Sequence, residues 1–419
     1  MEVIKEMKSI VLYLHMHQPY RVKHYSIFSV DHDHDYWTDK DWYAGSNNER
    51  IFKKVAEKSY RPMLKQLGKL IETTDKFKFS LSMTGTFLEQ AEEWAPDVID
   101  SIRKLVKTGR VEIVNETYNH SLSFFVDRDE FEAEVRLHQD RVRELFGVET
   151  KVFRNTELAY NNDLAQWAES FGFKGIIAEG WDKILETRTP NKVYRPDGCN
   201  SIKLLTKNYR LSDDIAFRFS NKTWNEWPLT VDKYIRWLET AGNQGPVINL
   251  FMDFETFGEN VWKDTGIFEF FNDLVLRWSN DSNHNFMTVS EACDSSISEE
   301  TISMPWTVTW ADTERDLSAW LGNSMQHEAL KAIYDLKEGV LASKDEDLIA
   351  DWRRLLTSDH LYYMSTKHLN DGGVHQYFSP YDSPFDAFLY FMNAVRDVRG
   401  RAEEHKNPKA KKEVNEITE

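Results

Sequence analysis

The stretch Val247-Ile-Asn-Leu-Phe-Met-Asp-Phe-Glu-Thr-Phe-Gly-Glu-Asn260 sets the tightest limit on what this chain can fold into. Ile248, Leu250, Met252 and Phe254 fall on one face of an extended segment, and Asn249, Phe251, Asp253 and Glu255 on the other, the period of a β-strand. The apolar face requires helices over it. The opposite face turns acidic only at the strand's C-terminal end, where Gly258 breaks the extended conformation and gathers Asp253, Glu255 and Glu259. In barrels of alternating strands and helices, that end carries the chemistry.

The rest of the chain repeats the pattern. Residues 10–17 read as a buried strand closed by Pro19, with His15 and His17 on one face beside Tyr13. A helical spacing over 52–73, interrupted by Pro62, precedes a strand at 77–83. A helix at 98–106 precedes a strand at 111–115, which runs into Glu116 and His120. A helix over 131–146 leads to a strand at 151–155 and then Glu157; strands follow at 175–179, 202–206 and 247–254. This predicts about seven parallel strands, with an eighth candidate at 286–289, in a βα barrel. The polar residues after successive strands, His15, His17, Glu116, His120, Glu157, Glu179 and Asp253, then converge on one mouth.

Past Pro305 the pattern is helical over 318–336, 345–364 and 384–398. The expected organisation is a catalytic barrel over 1–300, a C-terminal helical domain over 301–400 and a charged, disordered tail over 401–419. A net charge of −17, from 69 acids against 52 bases, argues against nucleic acid, and a neutral substrate suits the chain better. Aromatic residues make 13% of the sequence, and such rings stack on sugars as well as fill cores. Cys199 and Cys293 form no disulfide framework, and neither a signal segment nor a membrane-spanning run is visible, so the expectation is a cytoplasmic protein with no membrane partner. The alternating Asp31-His-Asp-His-Asp35 has the ligand types of a cation site, but reads as polar surface on a loop over the strand ends.

Two carboxylates on different strands of one mouth suit glycosidic cleavage: one protonates the leaving oxygen and the other meets the anomeric carbon. Glu157 and Asp253 are the chosen pair, with Glu116, Glu179, Glu255 and Glu259 competing. His15 and His17 have an alternative as satisfied core histidines, and Trp181 and Trp310 as core or interface residues. Tyr118, Tyr160 and Phe257 adjoin the acidic segments.

Five fragments sharpen the choice: His17-Gln18-Pro19, residues 111–120, Phe153-Arg-Asn-Thr-Glu-Leu-Ala-Tyr160, Phe251-Met-Asp-Phe-Glu-Thr-Phe-Gly258, and Thr357-Ser-Asp-His-Leu-Tyr-Tyr363. In this order they resemble the five sequence regions of glycoside hydrolase family 57, and its α-amylase group most. The resemblance implies an incomplete (β/α)7 barrel with a C-terminal helical domain, an α-glucan substrate and no cofactor. It implies Glu157 as nucleophile and Asp253 as general acid/base of a retaining mechanism, with His17, His120 and His360 lining substrate subsites. Retention sets an expected separation of about 5 to 6 Å between the two carboxyls. Asp253 is expected to be buried and protonated at the start of the reaction, with Arg154 helping Glu157 stay ionised; Glu255 either positions Asp253 or a histidine, or serves as a reserve acid.

Three rivals have distinct signatures. A 4-α-glucanotransferase would use the same covalent intermediate but pass it to a sugar hydroxyl; the absence of a β-rich C-terminal domain leans towards hydrolysis. A metal-dependent deacetylase would use His15, His17 and Asp253 as ligands. A glucan-binding protein without activity would have lost one of the two acids, and both are present.

Overall fold

The alternating part of the sequence builds a ring of parallel strands. The computed structural model describes residues 7–295, 300–367 and 374–406. The chain divides into two units: Met1–Gln18, Phe52–Tyr118 and Glu132–Trp310 form the first, and Pro19–Ile51, Asn119–Phe131 and Ala311–Glu419 the second. The first unit contains β1 (Lys8–Met16), β2 (Phe79–Met83), β3 (Val111–Ile113), β4 (Val152–Arg154), β5 (Gly175–Glu179), β6 (Val193–Pro196), β7 (Lys203–Lys207), β8 (Val247–Asp253), β9 (His284–Met287) and β10 (Thr301–Ile302).

β1 pairs in parallel with β2 and with β8. Parallel pairing continues from β2 to β3, from β4 to β5 and from β5 to β7. A parallel bridge between Asn115 and Phe153 joins β3 to β4. At the last seam, between β7 and β8, the Asn208 N–H donates to the Asn249 carbonyl at 2.9 Å. The Asn249 side-chain amide donates to the Thr206 and Pro190 carbonyls, each at 2.9 Å, so one side chain stitches a seam that lacks a full ladder. The result is the incomplete seven-stranded parallel barrel, in the order β1-β2-β3-β4-β5-β7-β8. The eighth strand candidate exists as β9, but it pairs with Lys8–Val11, the first half of β1, and takes no place at the mouth. β6, antiparallel to β7, and the short β10 had no clear alternation to announce them.

Strand periodicity stacks the barrel interior in layers. Register sets Val11, Tyr13 and His15 opposite Asn249, Phe251 and Asp253. Val11, Tyr13, Val114, Val152, Ile177, Leu205 and Phe251 belong to one buried apolar cluster below the mouth. Within it the Tyr13 hydroxyl meets Ser82 Oγ at 2.6 Å, and the Tyr13 and Phe251 rings meet edge to face with centroids 5.6 Å apart. Truncating one such ring to alanine would cost about 3–5 kcal/mol, so this layer is a rigid floor.

The helix expected over 52–73 is Asn48–Val55 and Arg61–Thr73, joined by a π turn at Ala56–Tyr60. Pro62 supplies no N–H and crowds the preceding turn, which widens instead of breaking. The helix Gly85–Trp94 follows β2 directly and went unpredicted; Thr84 caps it by accepting from the Phe87 N–H. A Cβ on Gly85 would lie 2.3 Å from the Tyr118 ring, so only glycine lets that ring lie on the helix start.

In the second unit the first two predicted helices are cut into Ser318–Leu321, Ser324–Tyr334, Glu346–Leu355 and Ser358–Tyr363, Lys337–Ser343 and Val374–Phe378 fall outside the predicted spans, and the longer Pro384–Lys406 comes last. The last one carries on through Arg401–Lys406, where disorder was expected, because Arg401 is anchored: Nη1 donates to Asp351 at 2.6 Å. Residues 407–419 of the expected tail lie outside the described residues. No helix among the described residues is long and apolar enough to cross a membrane.

Candidate active site

One turn above the apolar floor, the same side-chain columns become polar. β1 supplies His15, β4 Arg154, β5 Glu179, β7 Lys207 and β8 Asp253, and Glu116 stands just beyond β3. His15, Glu116, Arg154, Glu179 and Lys207 are buried. Burial of so many charges requires that each be matched. His15 Nε2 lies 3.1 Å from Glu116 Oε2, and Arg154 Nη1 lies 3.5 Å from the same oxygen. The carboxylate only accepts, so Nε2 carries a proton. His15 Nδ1 then lies between Arg154 Nη2 at 3.4 Å and Asp253 Oδ1 at 3.5 Å. Lys207 is paired with Asp213 at 3.0 Å and faces Glu179 at 3.9 Å.

Glu157 follows β4 in a tight turn, Thr156–Leu158, where the backbone goes left-handed: φ is 57° at Glu157 and 51° at Leu158. Trp310 holds this turn from two directions. Its indole Nε1–H donates to Glu157 Oε2 at 2.7 Å, and its backbone N–H donates to the Glu157 carbonyl at 3.3 Å. A bridge between Tyr160 and Val308 brings the Trp310 segment back alongside. The indole face takes two cations, Arg154 and Lys207, each 5.3 Å from a ring centroid, and the His15 ring stands at 6.5 Å. Trp310 therefore links the Glu157 carboxylate to the charged layer.

Asp253 is not buried as expected; its side chain is 45% exposed. The burial falls on Glu255. Its Oε1 accepts from the Tyr60 hydroxyl at 2.5 Å and from the His17 N–H at 3.4 Å, and Gln18 Nε2 donates to the Tyr60 oxygen at 3.2 Å. Burial, reinforced by the nearby Asp253 charge, pushes the Glu255 carboxyl up to about 8. The π turn at Ala56–Tyr60 delivers Tyr60 here and lies so close that a Cβ on Gly258, at φ 105°, would sit 2.0 Å from the Lys58 carbonyl oxygen. Glu259, a competing acid, is drawn to Lys54 at 2.6 Å and Lys58 at 3.5 Å.

The remaining sequence candidates divide. His17 Nδ1 bonds Thr84 Oγ1 at 2.9 Å, and its ring stacks on His15 with centroids 6.0 Å apart. Tyr118 is half-buried, with its hydroxyl on Glu89 at 3.0 Å. Trp181 is half-buried, with the Lys183 ammonium over its ring. Phe257 and Tyr160 are core instead: Phe257 is fully buried against Phe271, and Tyr160 is buried with Cys199 and Asp197 as its electrostatic neighbours. His120 and His360 are buried in the second unit, where the His120 carbonyl accepts from the Ser358 N–H and His360 Nε2 donates to the Arg354 carbonyl at 3.1 Å. The Asp31–Asp35 alternation disperses within that unit: Asp33 pairs with Lys23, His34 and the Asp31 N–H meet Asp397, and Asp35 accepts from the Trp37 and Thr38 N–H groups. Among the described residues His15, His17 and Asp253 do not converge as one ligand set, because His17 turns to Thr84. Sequence reasoning overlooked Lys207 and Tyr60; parity with Leu205 in β7 would have turned Lys207 inward.

A parallel barrel with one carboxylate clamped by an indole and a second beside a histidine offers two acids of the kind that glycosidic cleavage uses. A model of glycosyl hydrolase family 57 matches residues 11–305, and the chain belongs to this family. It is 45% identical over 362 residues to a protein of Methanocaldococcus jannaschii named "Putative alpha-amylase", covering 84% of this chain and 76% of that one. It is 24% identical to the 4-alpha-glucanotransferase of Thermococcus litoralis over 58% of this chain, and spans only 35% of that relative. Among solved structures, a family 57 branching enzyme from Thermococcus kodakaraensis superimposes with TM-score 0.68 at 14% identity, over 96% of this chain and 94% of that one. The α-amylase AmyC of Thermotoga maritima gives TM-score 0.57 at 12% identity, over 94% of this chain and 99% of that one. At these identities the structures attest the fold.

Proposed function

We propose that the chain is a retaining α-amylase-like hydrolase of α-1,4-glucosidic bonds, with Glu157 as nucleophile and Asp253 as general acid/base. The observation that carries this reading is the contrast between the two carboxylates. Glu157 is fixed by a donated indole N–H, which steadies an anion and aims it; Asp253 is half-exposed on a different strand, where a proton can arrive and leave. Asp253 protonates the leaving glycosidic oxygen as Glu157 Oε1 attacks the anomeric carbon. Asp253, then ionised, draws a proton from the water that releases the glycosyl group.

Cys199 and Cys293 are both buried free thiols, and a cytoplasmic location is part of the proposal. The relation to 4-alpha-glucanotransferases gives the same intermediate a second fate, capture by a sugar hydroxyl. Product analysis on maltoheptaose tests the reading. Shorter chains released as α-anomers and lost in Asp253→Asn are expected; chains both longer and shorter than the input would reassign the enzyme as a transferase. A β-anomeric product would refute retention.

A further inference from the structure

Beyond the charged layer, the first segment after β7 opens a cleft that the reaction does not use. Tyr209, Arg210, Asp214, Arg218, Trp224 and Trp237 line it as a shallow, open depression of about 490 Å³. That is within the range of small-molecule sites, ~300–1,000 Å³. Trp224 and Trp237 come from different segments, a loop and the helix Val231–Gly242, and meet edge to face with centroids 6.1 Å apart. Two further large rings on the same stretch stand in solvent, Phe217 at 68% and Trp227 at 43% exposure. Exposed rings gathered over about twenty residues give a ligand surface to pack on.

The charges of the cleft identify the class of ligand. Arg210 is paired with Asp182 at 2.6 Å, and Arg218 with Asp214 at 2.7 Å. Each guanidinium also leans on a ring, Arg210 on Tyr209 and Arg218 on Trp224, both at 5.8 Å. Both guanidinium groups already have a carboxylate partner, which weakens their pull on a phosphate or a carboxylate. Aromatic faces beside planar, neutralised groups suit an uncharged polyol, whose C–H faces stack on rings while its hydroxyls bridge carboxylate and guanidinium. The position favours a chain rather than a lone sugar. Tyr209 lies two residues past Lys207, whose ammonium sits on the Trp310 ring, and β7 is the neighbour of β8, which ends in Asp253.

We infer that this cleft is a second α-glucan-binding site, which holds a stretch of a long substrate away from the bond being cleaved. The inference rests on the proposed function, and the test separates the two. Maltoheptaose is titrated calorimetrically into Glu157→Gln and into the same variant carrying Trp224→Ala and Trp237→Ala. In parallel, the amylose-to-maltotetraose ratio of kcat/KM is measured with Glu157 intact. Two binding sites falling to one, and a ratio reduced at least about fivefold through KM on amylose, are expected for loss of two stacking platforms. Unchanged stoichiometry and an unchanged ratio would overturn the inference and leave the proposed function standing. No maltoheptaose binding by Glu157→Gln, with amylose untouched by the intact chain, would remove both. Trp237 also packs on Tyr234, so Trp224→Ala alone, in a loop outside any helix, is the control for a variant that fails to fold.

Discussion

Glu255 makes the most exposed prediction of the fold's electrostatics. Its carboxyl stands at about 8 in the folded chain against 4.5 for a free glutamate, chiefly through burial and then through the Asp253 charge. Between those values the folded state keeps a proton that the unfolded state releases. The contribution is therefore fully present below the unfolded value and is lost as pH rises towards the folded one. At ~1.4 kcal/mol per unit, the loss by pH 9 reaches about 5 kcal/mol as a ceiling, and relaxation of the site would leave about 2 to 3. Glu255→Gln is neutral at every pH and keeps an oxygen for the Tyr60 hydroxyl. It should match the wild type in urea unfolding near pH 4.5 and exceed it progressively up to pH 9. The infrared absorption of protonated carboxyls at pH 7 should also fall in the variant. A stability difference of the same size at pH 5 and pH 9, or no such fall in absorption, would refute the account of Glu255 as a neutral acid.

Trp310→Phe keeps the ring but removes the N–H that Glu157 accepts, and a bond to an ionised group is worth ~1.5–3 kcal/mol. Pre-steady-state measurement should show kcat reduced roughly ten- to a hundredfold with KM little changed; an unaltered kcat would deny the clamp. Burial lowers His360 from 6.5 to about 4, so its contribution is present near neutrality and lost as pH falls from about 6.5 towards 4. His360→Gln, whose amide can still donate to the Arg354 carbonyl, should lose less melting temperature between pH 7 and pH 5 than the parent; equal losses would count against a neutral buried imidazole.

The barrel was legible because its strands are short, buried and separated by helical spacing, and because the parity of β8 put Asp253 and Phe251 in one column. Parity also carries His15 and Arg154 inward, so the strand-borne part of the charged layer could be read directly. Lys207 was missed because its strand was ended one residue early at Thr206. What failed lay beyond the strand ends, where no period applies. Phe257 and Tyr160 adjoin the acidic motifs but turn into the core, since the three-residue turns after β8 and β4 reverse the chain. Tyr60 was hidden for another reason: a π turn shifts the face a helical residue occupies, and helical spacing assumes there is none. The swap of environments between Asp253 and Glu255 has the same origin, because two residues past a strand end their directions depend on which neighbour packs against them.

The left-handed backbone at Glu157 has a consequence for stability. A non-glycine residue held there costs ~1–3 kcal/mol, and glycine would relieve most of it. Glu157→Gly should therefore melt higher than Glu157→Ala while both are inactive, and equal melting would show the turn to be unstrained. Both variants forfeit the Trp310 indole bond alike, so the difference between them isolates the backbone strain, and the glutamate itself is held in that turn by a bond of similar size to the strain it bears.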